Sequence, residues 1–198
     1  MFLSFRVFSC FRIASSVLMA LLVGCGSPSE SNVKDYRLFF NTDDTDVLVE
    51  SQRLVQDFNS NAGFIALTMV DSSNDANSIV EFRKGIEESE GKIGYGQSSF
   101  RAVTAPVTDN LRGKSIETKN YFSMNLEFDA DFFKERMGKD SSDSERQRLQ
   151  LLFFHEVGHG LTFNHENIPA SVMYPYINQA QGVDFYGFFQ KVRAFFED

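Results

Sequence analysis

The 198-residue sequence predicts a two-layer α+β domain. Three segments carry apolar residues at helical spacing: one early in the chain, one in the middle and one at its end. Short apolar or alternating segments with strand character lie between the first two helices. One helix, several strands and two further helices are typical of a sheet that is covered by packed helices.

The first half of the domain begins with a strand over Tyr36–Asn41. Val47–Phe58 has helical spacing, and Thr45 or Asp46 is placed to cap that helix. The continuous apolar run over residues 64–70 predicts a buried strand.

The middle of the chain predicts further strands. Residues 71–77 are polar and predict a loop, and Ser78–Arg83 predicts the next strand. Residues 91–97 form an extended segment interrupted by glycines. Residues 101–118 have no clear period, so we expect a long connection there, followed by an alternating strand over Tyr121–Asp129.

Two helices complete the domain. Capping-box patterns begin at Ser142 and at Ser144, and either could start a helix that continues to His159. The segment Asp184–Asp198 places its phenylalanines at i, i+3 and i+4 spacing. We interpret it as an amphipathic closing helix whose aromatic stripe packs in the core.

The N-terminus predicts export. In residues 1–24, Arg6 and Arg12 precede an apolar run over 13–23. This run is too short to span a bilayer, and a basic segment followed by such a run is typical of a secretory signal. The run ends in Leu-Val-Gly before Cys25, which resembles a bacterial lipobox. That resemblance implies cleavage before Cys25 and its lipidation; the alternative is an ordinary signal with a chance cysteine.

The predicted organisation is a signal peptide over 1–24, a lipidated tether over 25–35 and a folded domain over 36–198. The lipobox resemblance implies a protein anchored in the bacterial cell envelope through its lipid, and Gly26 after the cysteine favours the outer membrane. Cys10 leaves with the signal, so we expect no disulfide in the mature chain.

The net charge of −8 excludes one class of partner. Loss of the signal's two arginines makes the mature chain still more acidic, whereas nucleic-acid binding needs basic surface. We interpret the acidity as a solvated surface, and we expect a monomer that does not bind nucleic acid.

All three histidines of the chain lie within residues 155–165. His155 and His159 are four residues apart on a predicted helix, so both imidazoles can reach one metal ion. Catalytic zinc takes three protein ligands and a water. Glu156 points about 100° away from His155, where it can reach such a water as a general base.

The segment that follows makes the pattern more specific. His165 comes six residues after His159, and Ser-Val-Met-Tyr-Pro follows with Met173 at its centre. This arrangement resembles the metzincin metalloproteases, and most of all their matrixin branch, in which a third histidine and a methionine turn follow the helical motif. The resemblance implies a metzincin-like α+β domain, with a twisted mixed sheet, an active-site helix, a methionine turn and a C-terminal helix.

The resemblance also implies functional roles. His155, His159 and His165 would hold one catalytic zinc ion, with Met173 as an apolar floor beneath the imidazoles. Upstream, the resemblance places the substrate-binding edge strand at Gly94–Ser98, so that Tyr95, Gly96 and Gln97 would pair with an extended polypeptide.

The predicted function is therefore that of a zinc-dependent endopeptidase, with a zinc-activated water and Glu156 as general base. Two alternatives are a non-catalytic zinc-binding lipoprotein and a zinc hydrolase acting on a non-protein amide. Loops rich in aspartate and asparagine leave structural calcium open.

One residue departs from the family pattern. Thr162 stands where the family has a glycine in left-handed conformation, which turns the chain toward the third histidine. Because threonine is β-branched, it disfavours that conformation. We therefore expect the turn to be displaced to Gly160 or Asn164.

Overall fold

The computed structural model describes residues 29–88, 92–109, 114–137 and 141–198. It confirms the predicted α+β class, whereas the predicted signal peptide and Cys25 lie outside the described residues. Within those ranges, no helix has the length and apolar character needed to cross a membrane. In chain order the elements are β1 (Ser29–Val33), β2 (Tyr36–Asn41), α1 (Thr45–Ala62), β3 (Leu67–Met69), β4 (Ser78–Arg83), β5 (Ile86–Glu88), β6 (Lys92–Gly94), β7 (Gly96–Asp109), β8 (Lys114–Asp129), α2 (Ala130–Met137), α3 (Asp143–Gly160), a 3-10 turn (Ile177–Gln179) and α4 (Phe185–Glu197).

A mixed sheet forms one layer of the domain. Its strands run in the order β3, β2, β4, β8 and β7, and β1 lies beside the first half of β8. Within this sheet all neighbouring strands are parallel except β7, which is antiparallel to β8, whereas β5 and β6 form a separate antiparallel pair. In the part of the chain that the structure describes, β7 pairs only with β8, so its other edge is free there. The predicted strands β2 and β4 are confirmed with their bounds.

The strand predicted over residues 64–70 is shorter than expected. Only Leu67–Met69 pairs in the sheet, and Ile65 is 78% exposed. The Asn59 side chain explains the difference, because its Oδ1 accepts hydrogen bonds from the backbone N–H groups of Ala66 and Leu67 (2.9 and 3.0 Å). These bonds hold the backbone of Ala66 and Leu67 at the Asn59 side chain of α1, so sheet pairing begins only at Leu67.

The long connection predicted over 101–118 is wrong. β7 continues to Asp109 and β8 begins at Lys114, so most of this segment forms a long antiparallel hairpin. Residues 101–104 are all exposed, so no buried face imposes an alternating pattern on the sequence. Part of the predicted tether over 25–35 also forms a strand, because Ser29–Val33 pairs with β8 as β1.

Polar side chains set the starts of two helices. α1 is capped by Asp44, not by Thr45 or Asp46, because the Asp44 carboxylate accepts hydrogen bonds from two backbone amides of the first turn. α2 was not predicted. Asp129, the last residue of β8 and 8% exposed, starts it by accepting a 2.7 Å hydrogen bond from Phe132 N.

The two C-terminal helices are confirmed. Ser142 and Glu145 form the capping box of α3, and most of α3 is buried beneath the sheet. Phe188 and Phe189 of α4 are buried, and both meet Phe154 of α3 and Phe58 of α1. This aromatic core fixes α3 and so positions its last two turns, which carry the candidate site.

Candidate metal centre

The last two turns of α3 present three predicted site residues. His155 and Glu156 are each only 4% exposed, whereas His159 is half-buried. His165, on the loop after the helix, is exposed. The helical part of the cluster is therefore buried, and the cluster opens to solvent on the side of His165.

The three imidazoles converge on one point. Their Nε2 atoms form a triangle with sides of 3.1 Å (His155 to His159), 3.0 Å (His159 to His165) and 3.3 Å (His155 to His165). Ligand atoms about 2.0–2.1 Å from a tetrahedral zinc ion lie about 3.3 Å from one another. The triangle therefore has the size that zinc requires, and these histidines could hold a metal ion.

Hydrogen bonds orient two of the imidazoles. Nδ1 of His155 lies 2.8 Å from the carbonyl oxygen of Val172, and Nδ1 of His159 lies 2.8 Å from that of Phe163. A carbonyl only accepts, so each Nδ1 carries the proton and each Nε2 keeps its lone pair for a metal. Burial lowers the pKa of His155 to about 4 and also lowers the pKa of His159. Both are therefore neutral at pH 7, as ligation requires.

The turn that delivers His165 is not displaced, contrary to expectation. Thr162 itself takes the left-handed conformation, with φ of 70°. Its N–H donates to His159 O (2.8 Å), and Phe163 N donates to Gly158 O (2.9 Å). These two bonds form a Schellman motif at the end of α3. The motif holds Thr162 in a conformation that its side chain disfavours.

Glu156 lies directly against the edge strand. A Cβ added to Gly96 would come within 2.7 to 2.9 Å of the Glu156 carboxylate and its Cγ. The two residues that flank Gly96 were also predicted to belong to the edge strand. Tyr95 lies just before β7, and Gln97 Nε2 donates a 2.5 Å hydrogen bond to Glu127 Oε2. Only a glycine at 96 lets the strand approach the carboxylate so closely.

Met173 packs beneath the same part of α3. Its sulfur occupies the space where a Cβ on Gly158 would lie, at 2.5 Å, and Gly158 stands between the two helical histidines. Ser171 Oγ accepts a hydrogen bond from Met173 N (3.0 Å) and so fixes the turn. The structure thus places Met173 against the helix backbone at Gly158.

Several contributors to the site were not found from the sequence. The carbonyls of Val172 and Phe163 leave no sequence signal, because any residue carries one. Gly158 did leave a signal: a glycine inside an otherwise buried helix often marks close packing. Asn178, which contacts Tyr95 from 83 residues away, left none.

Comparison with models of protein families places the chain in a known family. The family model described as Matrixin matches residues 36–186, which run from β2 to the start of α4 and include the histidine cluster. No curated protein matches the chain.

Proposed function

Because the chain belongs to the matrixin family of peptidases, we propose that it is a zinc-dependent endopeptidase with Glu156 as its general base. The observation that carries this proposal is the triangle of imidazole nitrogens beside a buried glutamate. A site that only held a metal for stability would have no use for a carboxylate at that position.

His155, His159 and His165 would hold the ion. Zinc bound there supplies a Lewis acid that polarises the scissile carbonyl and acidifies water. Glu156 takes one proton from the water as its oxygen attacks the carbonyl carbon. As the carbon–nitrogen bond breaks, Glu156 passes that proton to the leaving amine.

The outer edge of β7, which pairs with no strand among the described residues, supports a polypeptide substrate. Gly96 brings this edge against Glu156, so a substrate strand paired with β7 would place a backbone carbonyl beside the general base. The Tyr95 carbonyl already accepts a hydrogen bond from Asp129 N of β8. Main-chain pairing that begins at Gly96 would hold an extended peptide without requiring particular side chains.

The test uses a library of peptides from a denatured proteome, incubated with the protein with and without a zinc chelator. Chelator-sensitive new termini are the expected result, and their absence would rule out the endopeptidase. Glu156→Ala should retain bound zinc and lose turnover. Glu135→Ala, which changes a glutamate with a 72% exposed side chain on α2, is the matched control and should cleave as the wild type does.

We also propose that the domain is anchored on the bacterial envelope through a lipid on Cys25, in the outer membrane. The lipobox-like sequence before Cys25 supports this. Cys25→Ser should move the protein from the membrane fraction to the soluble fraction of the producing cells. Cys10→Ser is the control: Cys10 lies in the predicted signal, and its replacement should leave the fractionation unchanged.

A further inference from the structure

Two segments flank the end of α3 that carries the metal centre. On one side the backbone of β7 lies against Glu156 at Gly96. On another side Val172 O accepts the hydrogen bond from His155 Nδ1. Adjacent helical residues such as His155 and Glu156 point about 100° apart. The space in front of the metal centre is therefore bounded by β7 and by the segment that begins at Val172.

Tyr95 joins these two segments. It directly precedes β7, and its hydroxyl oxygen accepts a hydrogen bond from Asn178 Nδ2 in the 3-10 turn (3.2 Å). The backbone of Tyr95 is held at the strand side, where its carbonyl accepts a 2.9 Å bond from Asp129 N. The side chain thus reaches from the strand to the opposite segment, and we name this contact the Tyr95–Asn178 bridge.

The two ends of the bridge are held by interactions of different strength. The Tyr95 ring packs on Phe132, with centroids 4.2 Å apart, and the Arg136 guanidinium covers Phe132 at 3.7 Å. Phe132 is 4% exposed, so this support is part of the core. The contact with Asn178 is one neutral hydrogen bond near the surface, which is a weak interaction. The bridge would therefore open at Asn178 before it opened at Phe132.

A substrate strand that pairs with β7 at Gly96 and continues past it meets the bridge. We propose that the Tyr95–Asn178 bridge closes this end of the cleft and limits it to substrate residues with small side chains. Tyr95 and Asn178 are then specificity-determining residues, and this role rests on the proposed peptidase function. A large side chain at that position has to displace the hydroxyl from Asn178.

Two variants each remove one half of the hydrogen bond and keep the ring on Phe132: Tyr95→Phe and Asn178→Ala. Matched controls are Tyr186→Phe on α4 and Asn125→Ala on β8, both at exposed positions. The full chain is purified in detergent with zinc and digests the same peptide library, and the new termini are sequenced. Kinetics then use two peptides that differ only by Ala or Leu at the position that the wild type restricts.

We expect wild-type cuts to show one position restricted to small residues. Each bridge variant should raise kcat/KM for the Leu peptide about tenfold, the scale on which a pocket distinguishes small differences in side-chain size. The ratio of kcat/KM for the Leu peptide to kcat/KM for the Ala peptide should therefore rise about tenfold in each bridge variant and keep its wild-type value in the controls.

Three results would overturn the proposal: a wild-type profile without a small-residue position, bridge variants with an unchanged profile, or an equal loss on both peptides, which indicates a purely structural contact. If the wild type still gives chelator-sensitive cuts, the peptidase function survives these failures. Absence of such cuts from the wild type overturns both proposals.

Discussion

Replacing Thr162 by glycine should stabilise the protein. Thr162 holds φ at 70° in the Schellman motif after α3, and the left-handed region costs an ordinary residue about 1–2 kcal/mol. Glycine avoids that cost but loses about 0.5–1 kcal/mol more conformational entropy on folding. The difference predicts a gain of about 0.5–1 kcal/mol in the free energy of unfolding. For a domain of this size that is a rise in Tm of about 1–4 °C.

The assay is thermal unfolding of wild type and Thr162→Gly, each measured with zinc and with a chelator. Thr162 is exposed, so removal of its side chain leaves the core intact. Thr68→Gly is the matched control, because Thr68 is an exposed threonine in β3 and glycine should weaken a strand by about 0.5–1 kcal/mol. A lower Tm for Thr162→Gly in both conditions would refute the reasoning and would mean that the threonine side chain stabilises the turn.

Two further predictions concern Gly96 in β7 and Asp129 at the end of β8. Gly96→Ala should lower kcat about 100-fold, because the added Cβ would collide with the Glu156 carboxylate and misplacing a catalytic group by about 1 Å has a cost of that size. The zinc content, measured by metal analysis, should not change. Ser99→Ala is the control: Ser99 is exposed on the same strand, and this variant should retain full activity. Asp129→Ala should lower the free energy of unfolding, measured by urea titration, by about 3 kcal/mol, because the Asp129 carboxylate accepts two backbone hydrogen bonds. Asp131→Ala changes an exposed aspartate and is the control. An effect of Asp129→Ala no larger than that of the control would contradict this role.

The elements with a buried face were predictable from the sequence. β2 and β4 each bury alternate residues, and α4 buries a phenylalanine stripe, so the core imposes a period that the sequence displays. The long hairpin of β7 and β8 has exposed side chains on both faces near Val103, and its pairing comes from the backbone. α2 has only eight residues and depends on Asp129, which also ends β8, so its start is hidden in a strand.

The candidate site divides in the same way. The placement of His155, Glu156 and His159 follows from helical geometry alone, so spacing was sufficient to predict it. The turn at Thr162 was predicted wrongly because local preference disfavours threonine there, whereas two backbone hydrogen bonds to α3 outweigh that preference. The Tyr95–Asn178 bridge joins residues far apart in the chain, which no local pattern can indicate.

Strand β1 sets a working distance for the proposed lipid-anchored form. Four residue steps separate Cys25 from Ser29, so the chain between them can span at most about 14 Å. Ser29 pairs with Glu117, whereas Gly96, beside the general base, pairs with Phe128. The interval from Glu117 to Phe128 along β8 corresponds to about 36 Å. In the proposed anchored form the cleft can therefore lie up to about 50 Å from the lipid surface, which would bring neighbouring envelope proteins within its reach.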